Sequence, residues 1–203
     1  LAANEVASMN PKLTLKQAKQ VIADNVDDVK RLQKLTNSML GLLKEDKLEI
    51  QKGKVGLQPV ITRAMNLVVN QALAKDIAID DKTKNFLLLG DRQSLEQLFT
   101  ILLDNAIKYS NKGGTITISS SKKGKHVSVA IADAGIGMSD EVKSQIFTRF
   151  YRAEESRTTA GYGLGLSIAE RIIKAHGGRI NVDSEQNVGS TFTVILPAYN
   201  KKK

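Results

Sequence analysis

Between Leu98 and Ser110 the chain reads Leu-Phe-Thr-Ile-Leu-Leu-Asp-Asn-Ala-Ile-Lys-Tyr-Ser. Leu98, Leu102, Ala106 and Tyr109 recur at the three-and-four spacing of a buried amphipathic helix, and Asp91 is placed to cap it. A second helical pattern is predicted from Thr14 to Lys47. There Ile22, Val29, Leu32, Met39 and Leu43 form a stripe with Asn25 and Thr36 in its gaps, widened by Val26, Leu35, Leu40 and Leu42. Thr14 with Gln17 three residues on reads as a capping box. No proline interrupts this pattern, and its apolar surface exceeds what one helix covers alone. Either the helix packs on its own domain, or it belongs to a helical hairpin that dimerises into a bundle; its length favours the bundle. Asn10-Pro11 marks a turn, and Leu1 to Met9 reads as the tail of a helix cut off upstream.

The rest of the chain alternates between the two periods. Glu45 to Gly56, ending Lys-Gly-Lys-Val-Gly, reads as a linker or hinge. Pro59 to Ala74 is a helix with the stripe Val60, Ala64, Leu67, Val68 and Leu73. Ile77 to Ile79 and Phe86 to Leu89 are short strands. Strict alternation follows, with Ile116 and Ile118 between Thr115, Thr117 and Ser119, and then Val127, Val129 and Ile131 between Ser128 and Ala130. Lys122-Lys-Gly-Lys125 joins these two as a hairpin. Ser139 to Phe150 reads as a short helix, and Arg152 to Thr159 as a polar, candidate mobile segment. A helix from Leu164 to Ala175, ended by His-Gly-Gly178, precedes two closing strands, Arg179 to Asp183 and Ser190 to Leu196. This is an α+β pattern, with residues 1–52 as a partial helical hairpin and linker and 53–203 as a second domain.

Composition narrows the classes. The chain has 203 residues, 41% hydrophobic and 25% charged, as in ordinary globular proteins. No run approaches the roughly 18 apolar residues of a membrane span. The absence of cysteine excludes a disulfide scaffold and a thiolate metal site. The net charge of +9 raises nucleic-acid binding, but the basic residues are scattered and aromatic content is 4%, too low for a base-stacking platform. No nucleic-acid partner is expected; Lys201-Lys202-Lys203 reads as a solvated tail.

Candidate chemistry lies on the first helix and on two glycine segments. Asn105, Lys108 and Tyr109 offer an amide oxygen, an ammonium and a ring on one helix face, which suits a magnesium-bound nucleotide. Asp133-Ala-Gly-Ile-Gly137 follows a strand. A carboxylate there accepts from the exocyclic amine of adenine, where guanine would present a carbonyl, and Gly135 and Gly137 permit close backbone approach. Gly161-Tyr-Gly-Leu-Gly165 opens a helix, whose N-terminal amides form a phosphate site; it is neither a P-loop nor a Rossmann spacing. Each motif alone also fits a plain turn or a packing role.

Together they are specific. The order Asn105-x-x-Lys-Tyr, Asp133-x-Gly-x-Gly, Phe147-x-x-Phe-Tyr-Arg, Gly161-x-Gly-Leu-Gly and Gly189-Ser-Thr-Phe192 resembles the ATP-binding domain of sensor histidine kinases of two-component systems. The wider GHKL group includes gyrase, Hsp90 and MutL. The resemblance covers roughly Leu57 to Pro197, and the Phe-Tyr-Arg element and Ala175-His-Gly-Gly178 are similar to the kinases in particular. The Thr14–Lys47 helix is similar to the second dimerisation helix of those kinases, and Thr-Ile-Leu-Leu-Asp-Asn to kinases of the CiaH type. The resemblance implies a two-layer α/β sandwich of the Bergerat type, with a mixed sheet covered by helices on one face. It implies ATP and Mg²⁺, with Asn105 on the metal, Lys108 on phosphate, Tyr109 against the nucleotide and Asp133 on adenine. Gly135, Gly137, Gly161, Gly163, Leu164, Gly165 and Leu166 would shape pocket and lid, with Arg152 and Arg157 as lid cations. It also implies a response-regulator receiver domain as partner, a homodimer through the N-terminal helices, and a cytoplasmic portion of a bacterial protein anchored in a membrane by segments absent here.

Two departures stand out. Many relatives carry Glu or Asn one turn before the metal-binding Asn, where this chain has Ile101, which accepts no proton. That weakens the alternative of a gyrase-type ATPase, as the long N-terminal helix weakens that of a compact protein-serine kinase. The retained motifs speak against a non-catalytic regulator-binding module. The acceptor His of the family, on the first dimerisation helix, has no counterpart. His126 and His176 lack its context and read as structural, so the chain is expected to begin just downstream of the acceptor. No catalytic residue is assigned.

Overall fold

The computed structural model describes Met9, residues 13–26, Val29, residues 50–153 and residues 162–200. Most of the Thr14–Lys47 pattern, including Leu35–Leu40, lies outside those residues, as do Arg157 and Gly161 and most of the Arg152–Thr159 segment. The chain divides into two compact units, Leu1–Glu45 and Asp46–Lys203.

In the first unit, α1 spans 15–26. Its capping box forms as the sequence predicts: the Gln17 N–H donates to Thr14 Oγ1 (3.3 Å) and the Thr14 N–H to Gln17 Oε1 (3.0 Å). Leu15, Ile22, Val26 and Val29 are exposed.

The second unit runs β1 (Gly53–Gly56), α2 (Leu57–Ala74), β2 (Ala78–Lys82), β3 (Leu87–Gly90), α3 (Arg92–Tyr109), β4 (Thr115–Lys123), β5 (His126–Asp133), α4 (Asp140–Gln145), α5 (Gly165–Ala175), β6 (Arg179–Glu185) and β7 (Gly189–Pro197). Five strands form one mixed sheet in the order β2-β4-β5-β7-β6, with β2 and β4 parallel and the other pairs antiparallel.

The pleat puts alternate residues on opposite faces. Register aligns Ile118 with Ile131, Ile131 with Phe192 and Phe192 with Val182, so the apolar positions of four strands share one face. Helices cover it: α3 packs on β5, α2 and α5. The other face carries Thr117, Ser119, Ser128, Thr191 and Thr193, all partly exposed. This is the two-layer α+β arrangement expected.

Four local expectations are corrected. Gly53–Gly56 is not part of a hinge but strand β1, paired antiparallel with β3, and Val55 is buried in it. Four residues are too few for alternation to show, and the partner lies more than thirty positions away. In α2, Leu67 and Leu73 are 51% and 67% exposed, while Leu57, Ile61 and Ala72 join Val60, Ala64 and Val68 in the core. Strand β2 starts at Ala78, because the Ile77 N–H turns back to the Ala72 carbonyl at 2.9 Å and closes α2. Helix α4 stops at Gln145, and Phe150 adopts φ 65°, its N–H donating to the Gly163 carbonyl at 2.9 Å.

Candidate functional site

The site begins with how α3 is held. Asp91 accepts from the Ser94 N–H at 2.8 Å and the Ser94 hydroxyl at 2.6 Å, a cap worth about 1 kcal/mol. Leu95, Leu98, Phe99, Leu102, Leu103 and Ala106 are buried beneath the helix. Ile101, Asn105 and Lys108 follow at helical spacing along its partly exposed side. The Asn105 amide nitrogen is buried and has no hydrogen-bond partner among the described residues. A buried polar group left so is costly and is open to a water or ligand partner. The Lys108 ammonium stands 5.3 Å from the centre of the Tyr109 ring.

The first glycine loop is fastened to the end of α3. The Tyr109 carbonyl accepts from the Ile136 N–H at 3.2 Å, and Ser110 bridges to Gly135. A Cβ on Gly135 would overlap that Tyr109 carbonyl, which is why the position takes glycine. A Cβ on Gly137, at φ 63°, would overlap the Glu185 carbonyl, and the Asn187 N–H donates to the Ile136 carbonyl at 2.6 Å. The loop is thus clamped between α3 and the β6–β7 hairpin.

Asp133 ends β5 on the helix-covered face. Register puts it in a row with Ser190 and Ser184, one step beyond the apolar row Ile131, Phe192 and Val182. The core therefore ends in a polar edge. Asp133 Oδ1 accepts from the Gly135 N–H at 3.0 Å, and the Ser190 N–H also reaches the carboxylate. Burial nonetheless pushes the carboxyl above its ordinary range, against the pull of those two donors. Beside it the Ser184 and Ser190 hydroxyls lie 2.9 Å apart, and Ser184 donates to the Gly189 carbonyl at 3.0 Å. The sequence motif Gly189-Ser-Thr-Phe192 flagged this strand but gave no role to either serine.

The second glycine segment opens α5. Gly163 lies at φ 69°, Leu164 is buried, and Gly165 and Leu166 are partly exposed. Among the described residues no side chain caps this N-terminus, and the first amides of a helix are donors suited to an anion. A Cβ on Gly165 would lie 3.3 Å from Ile101 Cγ2, so α5 begins against α3 one turn before Asn105. Arg152 is partly exposed. The structure thus brings Asn105, Lys108, Tyr109, Asp133, Gly135 and Gly137 around one edge of α3, with α5 meeting the same helix at Ile101. Together they offer a carboxylate acceptor, an amide, a cation and helix-terminal donors.

Residues 90–200 match the family of histidine kinase-, DNA gyrase B- and HSP90-like ATPases. The chain belongs to this ATPase family. The sensor histidine kinase YkoH of Bacillus subtilis (strain 168) is 37% identical over 172 residues, or 83% of this chain and 37% of YkoH. Full-length ShkA in complex with AMPPNP aligns with a TM-score of 0.80 at 26% identity, covering 100% of this chain and 44% of that one. The histidine kinase ThkA in complex with the response regulator TrrA aligns at 0.71 and 25% identity, over 94% and 53% respectively. The chain spans well under half the length of YkoH. As a member of this ATPase family it carries an ATP-binding domain with the fold of histidine kinase catalytic domains, and its relatives are two-component sensor kinases.

Proposed function

We propose that the chain is the ATP-binding catalytic part of a sensor histidine kinase, serving transfer of the γ-phosphoryl of ATP to a histidine and then to a response-regulator aspartate. The observation that carries this reading is the buried Asn105 amide nitrogen, unpartnered among the described residues, one turn beyond the Ile101 that meets the start of α5. Asp133 accepts the adenine amine, and Tyr109 lies against the nucleotide. Lys108 and the α5 amides meet phosphate, Arg152 and Arg157 approach the γ-phosphoryl, and Gly135, Gly137, Gly161, Gly163 and Gly165 give the backbone room.

Asn105 fits Mg²⁺: its amide oxygen would serve as a hard oxygen ligand, and its amide nitrogen has no partner among the described residues. Among the described residues no cluster of three His, Asp or Glu could hold a metal unaided, so the cation would share Asn105 with the phosphates. Bound with ATP, Mg²⁺ neutralises phosphate charge. The partner is a response-regulator receiver domain; the neighbour ThkA is seen in complex with the response regulator TrrA. The exposed Leu15, Ile22, Val26 and Val29 support a homodimer through the N-terminal helices of the whole protein. No described helix is long and apolar enough to cross a membrane; on the sensor-kinase reading this portion is the cytoplasmic part of a protein anchored by other segments.

The test offers γ-labelled ATP to the chain alone and to the chain with a separate acceptor-helix peptide. Label is expected on the peptide only. Label on the chain would overturn the assignment of the acceptor elsewhere, and no nucleotide binding would overturn the site.

A further inference from the structure

The last turn of an α-helix leaves four carbonyls without intrahelical partners. At the end of α3 the carbonyls from Ala106 to Tyr109 all find partners. Ala106 O accepts from the Ser110 N–H at 2.9 Å and the Ser110 hydroxyl at 2.7 Å. Tyr109 O accepts from Ile136. The two between them, Ile107 O and Lys108 O, are taken by one side chain from another element: Lys75 Nζ, at 3.0 and 2.7 Å.

Lys75 is the C-cap of α2, 32 residues before Ile107. Its own turn is stapled to the α3–β4 turn. The Lys75 carbonyl accepts from the Gly113 N–H at 3.2 Å, the Ala78 N–H donates to Gly114 O at 3.0 Å, and Asp76 pairs with Lys112 at 3.2 Å. An ammonium at a helix C-terminus also meets the negative end of the helix dipole. On its far side the same turn carries Lys108, Tyr109 and the anchor of the Asp133–Gly137 loop.

We propose that Lys75 is a positioning residue for the nucleotide site. Its grip on the Ile107 and Lys108 carbonyls fixes the last turn of α3, and through Tyr109 O the glycine loop beside Asp133. It touches no nucleotide. This rests on the reading of Asn105, Lys108, Tyr109 and Asp133 as the ATP site.

The test compares wild type, Lys75→Met and Lys75→Arg, with Val127→Ala, a core change at the other end of β5, as a destabilised control. Lys75→Met is expected to raise the Kd for Mg-ATP and ADP about three- to tenfold, by lowering the fraction of molecules with a competent site. Lys75→Arg, which keeps a donor cation, should recover most of it. Amide exchange should quicken at Ser110 and Ile136 in Lys75→Met while β6 is unchanged; Val127→Ala should show no such local pattern. Unchanged Kd, or exchange that quickens uniformly, overturns the proposal. If wild type itself binds no nucleotide, the site reading fails, and the Ser110 and Ile136 exchange still decides whether Lys75 holds the turn. Should Lys75→Met not fold, Lys75→Gln carries the same comparison.

Discussion

Replacing Asp133 by asparagine separates the fold from the site. In the free protein the carboxylate is a burdened group: burial raises its pKa, although the N–H groups of Gly135 and Ser190 point at it. An amide removes the buried charge and keeps one oxygen for Gly135. Stability should therefore change by less than about 1 kcal/mol, and an increase would be unsurprising. Binding should behave differently. A carboxylate takes the adenine amine as a charge-assisted bond, worth about 1–3 kcal/mol over the amide, or roughly five- to 150-fold in Kd. The pH dependences also diverge. With its folded pKa above the ordinary 3.8, Asp133 contributes stability that is full below that value and lost as pH rises through the folded pKa. Adenine prefers the ionised form, so affinity should fall as pH drops through the same range, and Asp133→Asn should flatten that slope. Calorimetric titration with ADP and thermal melts on the same samples measure both. An unchanged Kd removes Asp133 from the site; a loss of affinity matched by a loss of Tm would trace the effect to the fold instead.

Asn105→Ala should leave the melt within about 1 kcal/mol, since the Asn105 amide nitrogen has no partner to lose, yet abolish the Mg²⁺ enhancement of ATP affinity; titrations with and without Mg²⁺ decide. His176 is 1% exposed, accepts from the Asp91 N–H at 3.0 Å through Nε2, and bonds Ile172 O through Nδ1. It must be neutral to do so, and burial lowers its pKa below the ordinary 6.5. Its contribution should be full above pH 6.5 and lost as pH falls through the lower folded value, a slope that His176→Gln melts should lack. Gly90→Ala should cost about 1–3 kcal/mol in urea unfolding, because its Cβ would come within 2.7 Å of the His176 ring. Leu73→Ala should stay within about 0.5 kcal/mol, whereas Ile61→Ala, fully buried on the same helix, should cost about 2–5 kcal/mol.

What the sequence made legible was periodic and local. The alternation of β4 and β5, the Asp91 cap, the Thr14 capping box and the burial of Leu98, Leu102 and Ala106 each depend on neighbours within a few positions. What it hid depends on distant partners. The phase of the α2 stripe follows from which side meets α3, so Leu67 and Leu73 read as core and are not. Strand β1 exists through β3, and Lys75 looks like one more surface lysine until the α3 carbonyls are counted. Within the site, Asn105 stands out on its helix face and Asp133 at a strand end before a glycine loop, whereas the Ser184–Ser190 pair emerges only from strand register.

Ile101 gains a physical account by the same route. Read as sequence, it is a missing proton acceptor one turn before Asn105. In the fold it faces Gly165, 3.3 Å from where a Cβ would stand, at the first residue of α5. A carboxylate in its place would set a charge against that apolar contact, although near the uncapped amides of α5. The helix therefore trades a candidate base for a seat under the first residue of α5. On the proposed reading, α3 binds and orients ATP while proton transfer belongs to the acceptor histidine's own helix. Ile101→Glu separates the two roles. If the position only seats α5, the change should weaken ATP affinity by at least about threefold, through a displaced α5 and a carboxylate facing phosphate, and leave hydrolysis in the absence of acceptor at background. Appearance of steady ATP hydrolysis in Ile101→Glu would show instead that an acid here is enough to activate water, and that the isoleucine is what holds this site to phosphotransfer.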